Sequence, residues 1–155
     1  MAASSSELRG KIRVKGPIIV LEQTPGTDYG IFIEMINDSG ADVARGDLVV
    51  LDTAKGRNYF STTTSGNDNK VIGMAAEAIA DGAKGLIQTY GPTKYLKVDG
   101  NTDIAAGDFI ATFTTAGIGQ KGTIGSGNCI ALATEAYTTN DAAGVIDAFL
   151  LGSAR

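Results

Sequence analysis

Residues 42–50 read DVARGDLVV, and residues 103–111 read DIAAGDFIA. The same phrase is written twice, about sixty residues apart, and neither copy holds a nucleophile, a histidine or a metal-ligand cluster. In each, a glycine stands just before an apolar run. Glycine permits a positive φ, and the aspartate that follows can hydrogen-bond nearby backbone amides. Gly46-Asp47 and Gly107-Asp108 are therefore expected to form matching tight turns, each launching a strand, with structural roles for all four residues.

The correspondence continues downstream. Ile72, Gly73, Met74, Ala75, Ala76, Glu77 and Ala78 answer Ile130, Ala131, Leu132, Ala133, Thr134, Glu135 and Ala136. Gly85, Leu86 and Ile87 answer Gly144, Val145 and Ile146. Two copies are too few for a solenoid. They predict two halves of one barrel or sandwich, with repeats at about residues 41–91 and 102–152.

Glycine supplies 21 of the 155 residues, roughly twice the usual ~7%. It shows no collagen period, and it punctuates short apolar runs, as turns between strands do. Residues 77–85, EAIADGAKG, carry two glycines and read as a loop. TKYLKVDGN, residues 93–101, reads as a strand ending in a turn. The expectation is an all-β fold of ten or more strands, a small β-barrel or sandwich with internal duplication and Gly-rich turns. Hydrophobic residues make up 43% of the chain, enough for a packed core.

Residues 1–16 differ. Arg9, Lys11, Arg13 and Lys15 against Glu7 leave this stretch at +3, and the rest of a chain of net charge −4 at −7. The cations fall at alternate positions, so in an extended strand they share one face. Two readings follow: an edge strand protected by charge against mispairing, or an arm that docks on an acidic partner through those four residues. The expected division is an extended N-terminal arm, residues 1–16, and a barrel-like domain, residues 17–155.

Several function classes are poorly served. There is no histidine, the commonest general base and metal ligand. Cys129 is the single cysteine and reads as a small buried hydrophobe. Asp99, Asn101 and Asp103 alternate as in a calcium loop, but Ile104 and Ile110 stand where that loop needs Gly and Glu. Glu77 and Glu135 are a duplicated pair better explained by architecture than by glycoside chemistry. The acidic chain argues against nucleic acid, and no aliphatic run is long enough to span a membrane as a helix. The N-terminus lacks the apolar centre of a signal peptide. The expectation is a protein with no catalytic, cofactor or metal site, made and kept in a cytoplasm-like compartment.

The order ADVARGDLVV, VIGMAAEAIADG, GPTKYLKVDG, IAAGDFI resembles the small capsid decoration, or cement, proteins of tailed bacteriophages, over roughly residues 31–152. The resemblance implies a non-enzymatic β-rich protein on the outer capsid surface of the virion. It implies the major capsid protein as partner, stabilisation of the assembled head, and a homotrimer. The basic N-terminal stretch lies outside that pattern. Alternative readings are a phage fibre, spike or tail module, and a small-barrel enzyme or ligand-binding domain.

Overall fold

The structure, a computed structural model, describes the backbone of Ile18–Leu21 and residues 30–123 and 128–152 in full. Ten strands are present among these residues, and no helix; none therefore is long and apolar enough to cross a membrane. They are β1 (Ile18–Leu21), β2 (Gly30–Asn37), β3 (Leu48–Leu51), β4 (Tyr59–Ser61) and β5 (Val71–Ala75), followed by the 15-residue β6 (Lys84–Val98). The second half adds β7 (Phe109–Thr112), β8 (Gly119–Lys121), β9 (Cys129–Ala133) and β10 (Gly144–Leu151). The fold is all-β, as the glycine-punctuated sequence predicts.

Strand pairing makes the duplication explicit. β2, β4, β3, β5 and β6 follow one another and close, because β2 also pairs with β6. β6, β10, β9, β7 and β8 follow in turn, and β8 returns to β6 through the single pair Val98↔Gly119. Each copy thus forms its own five-stranded ring, and the two rings stand in series through β6, where the sequence suggested two halves of one barrel. The parallel contact recurs too: β2 runs parallel to β4, and β6 parallel to β8. β6 is long because it serves twice. Its first part pairs with β2 and β5, and its last part with β10. Gly91, at φ +106°, and Pro92 mark the passage between them, where a regular central ladder would exclude proline.

The repeating unit therefore reaches back to β2. GIFIEMIND, residues 30–38, corresponds to GPTKYLKVD, residues 91–99, and Asp38 N donates to Phe60 O as Asp99 N donates to Gly119 O, at 2.9 and 2.8 Å. The alignment of Gly85 with Gly144 needs correction. Glu77 Oε1 accepts from Leu86 N and Glu135 Oε1 from Asp147 N, so Leu86 matches Asp147 and Gly85 matches Ile146. The register agrees, with Met35 opposite Gly85 and Leu96 opposite Ile146. The displaced glycines have one cause. A Cβ on Gly85 would meet Ile79, and a Cβ on Gly144 would meet Tyr137, the residue that replaces Ile79 in the second copy. Each copy keeps a glycine beneath that side chain, and the longer tyrosine needs it elsewhere.

The first ring encloses Met35, Val43, Val49, Phe60, Ala75, Ile79 and Ile87. Their counterparts are Leu96, Ile104, Ile110, Gly119, Ala133, Tyr137 and Ala148. Volume lost at Phe60→Gly119 and Ile87→Ala148 is returned at positions 104, 110 and 137, as close packing requires. Part of the remainder comes from the other ring: the space beside Gly119 is taken by Leu48, whose Cδ1 would lie 3.1 Å from a Cβ there. β3 divides its faces accordingly, Val49 packing in the first cluster while Leu48 and Val50 pack in the second.

Candidate functional site

The two signature turns are built alike. Ala44 N donates to Asp47 Oδ2 and Ala105 N to Asp108 Oδ2, at 2.8 and 2.7 Å; Asp47 N and Asp108 N donate back to the carbonyls of Ala44 and Ala105. Gly46 and Gly107 have φ of +92° and +93°, a region that favours glycine. Their N–H groups donate to Ala75 O and Ala133 O. Asp47 pairs with Lys97 at 2.7 Å and Asp108 with Lys121 at 2.8 Å. The lysine, first, and then the Ala105 N–H hold the Asp108 carboxyl below its ordinary range.

The surroundings of the two turns differ. Gly46 is buried: a Cβ there would lie 1.9 Å from Tyr95 O. Gly107 is exposed, and a Cβ would have no described heavy atom within 4 Å. The first turn is wedged between β6 and the segment before β8. Lys97 N donates to Gly46 O at 3.1 Å, and Leu48 N to Gly117 O at 2.8 Å. Arg45 lies over the Tyr95 ring, 3.4 Å from its centroid, a cation–π contact across the joint. A second set of bonds fixes the same joint. Thr112 Oγ1, in the second ring, donates to Ser65 O and accepts from Asp68 N, and Asn128 Nδ2 donates to Asn67 O. These two sets of contacts add to the shared strand β6 and to the core cluster in which Leu48, Val50, Val71 and Met74 meet second-ring residues.

The other polar candidates are engaged in structure. Glu77 and Glu135 each accept a backbone N–H, spanning from the loop after one strand to the next strand. Asp99 accepts from the Asn101 side chain. Tyr137 donates to Asp141 Oδ2 at 2.6 Å, which raises the tyrosine pKa, while the buried Asp141 Oδ1 accepts no hydrogen bond among the described residues. Cys129 is buried, and desolvation pushes its thiol pKa up, away from the reactive thiolate. Among the described residues, no three His, Cys, Asp or Glu side chains converge as a metal site would need.

Arg9, Lys11, Arg13 and Lys15 lie outside the described residues. Sequence reasoning did not single out Arg45, Tyr95 or Lys97. Nor did it find a groove of about 340 Å³ on the first ring, lined by Glu34, Met35, Ile36, Arg57, Asn58 and Lys84. The Gly30–Gly91 and Asp38–Asp99 spacing aligns β2 with the end of β6 and so marks the groove residues as counterparts of Tyr95 and Lys97, but it does not reach Arg45.

No protein-family model matches the chain, and no curated protein sequence matches it.

Proposed function

We propose that this chain is a capsid decoration protein, binding the outer surface of an assembled viral head through the major capsid protein and stabilising it without chemistry. The observation that carries the reading is the joint. Two barrels are locked in series by the Gly46 turn, the Arg45–Tyr95 stack and the Thr112 bonds, and the polar residues that could suggest catalysis are occupied in backbone hydrogen bonds. Such a body offers area and fixed geometry, which a clamp needs. The sequence resemblance to decoration proteins points the same way.

The mechanism is mass action. A protein that binds the assembled shell and not its free subunits stabilises the shell by about 2.7 kcal/mol per site at a hundredfold excess over Kd. Several copies gripping adjacent capsid subunits would add effective concentration. The test is co-sedimentation of purified protein with mature heads of the virus that encodes it, stripped of decoration, followed by a thermal-disruption assay. The reading expects saturable binding and a higher disruption temperature. Absence of saturable binding would refute it. Recovery of the chain with purified tails or fibres would favour the fibre, spike or tail reading.

A further inference from the structure

The groove on the first ring is the counterpart of a surface that is already occupied on the second. The structural correspondence places Glu34, Met35, Ile36 and Lys84 where the second ring has Tyr95, Leu96, Lys97 and Val145, and Arg57 and Asn58 where it has Ala116 and Gly117. On the second ring these positions receive the Gly46 turn of the first: Arg45 on Tyr95, Gly46 against Tyr95 and Lys97, and Leu48 bonded to Gly117. At the far end of the molecule the equivalent turn, residues 105–108, is exposed at Ala105, Ala106 and Gly107, with open space around Gly107. Among the described residues, the chain thus carries one internal head-to-tail contact, one unmatched socket and one unmatched turn.

We propose that the socket receives the Gly107 turn of a second copy, so that copies associate head to tail through a heterologous interface at the place equivalent to the internal joint. Charge favours this occupant. Arg57 lines the groove and makes no ion pair with the described residues, whereas Lys84 already pairs with Glu34 at 3.7 Å; the incoming turn brings Asp108, which pairs with Lys121 in its own ring. The seating is shallower than the internal one. Phe60 fills the space that Gly119 leaves to Leu48, and Ile36 N donates to Asn58 O at 2.9 Å where the second ring admits the Gly46 strand. Heterologous contacts close into rings or grow into open chains, depending on the rotation they impose. The inference does not depend on the capsid reading, because association in solution needs no capsid.

The test is sedimentation velocity of the full chain from low micromolar concentration upward. In the internal joint position 45 faces position 95, so in the proposed interface Ala106 faces Glu34 of the neighbouring copy. Ala106→Glu places two carboxylates together and is expected to raise the dissociation constant roughly tenfold or more. Adding Glu34→Lys should restore association. The Glu34→Cys/Ala106→Cys double variant should form intermolecular disulfides that neither single variant forms, with buried Cys129 uninvolved. Unchanged thermal melting of Ala106→Glu serves as the control for folding. A wild-type chain that stays monomeric throughout would overturn the proposal. So would association indifferent to Ala106→Glu. Association that appears only when residues 1–16 are deleted would also overturn it, assigning the groove to the chain's own N-terminal segment.

Discussion

Replacing Gly46 and Gly107 separately by alanine gives a controlled comparison, because the two turns share φ and hydrogen bonding and differ in what surrounds them. Alanine in left-handed backbone costs roughly 1–2 kcal/mol, and loss of glycine entropy in the unfolded chain returns about 0.4–1. Gly107→Ala should therefore destabilise by about 0.5–1.5 kcal/mol. Gly46→Ala bears the same strain and adds an overlap: its Cβ would sit 1.9 Å from Tyr95 O, roughly 1.6 Å short of a relaxed contact. Relieving it moves the turn off β6. That weakens the Lys97 N to Gly46 O and Leu48 N to Gly117 O bonds, at about 0.5–1.5 kcal/mol each, and disturbs the Lys97–Asp47 pair. The total is about 1.5–4.5 kcal/mol, its upper end in the class of severe substitutions. The assay is urea denaturation of both variants beside the parent, with thermal melting as a check. A gap of about 2 kcal/mol corresponds to roughly 4–8 °C in Tm for a chain of this size. Equal losses at both positions would refute the wedged-turn account.

Three further outcomes follow from the same geometry. Asp108 has a lowered carboxyl pKa in the folded state, so its contribution is present above the ordinary carboxylate range and is lost as pH falls through the folded value; Asp108→Asn should lose less stability between neutral and about pH 3 than the parent, read by urea midpoints at each pH. Phe60→Ala should cost about 3–5 kcal/mol in denaturation, because Phe60 is fully buried and its removal leaves a cavity. Cys129 should react with a thiol reagent only as fast as the protein opens, so the rate should rise with denaturant; rapid full labelling of native protein would place the thiol outside the core.

The duplicated phrase and the glycine-punctuated runs carried the matching turns and the all-β class, because Gly-Asp turns and alternating strands are local and leave their mark in short spacings. The serial arrangement of rings was less legible. β2 and the end of β6 share a fold position but little beyond a glycine and an aspartate, since one faces solvent and the groove while the other receives the Gly46 turn. Matching Gly85 to Gly144 failed for a packing reason: the glycine follows the side chain above it, Ile79 or Tyr137, and not the strand register. Arg45 and Tyr95 could not be joined by spacing, because fifty residues and the strands between them separate the pair in the chain.

The proposed capsid reading is tested most directly by cryo-electron microscopy of viral heads imaged with this chain bound and after its removal. The account predicts density on the outer surface that accommodates two joined five-stranded barrels and disappears on removal. Heads with no such density, or density for the double barrel only on tail or fibre, would contradict it.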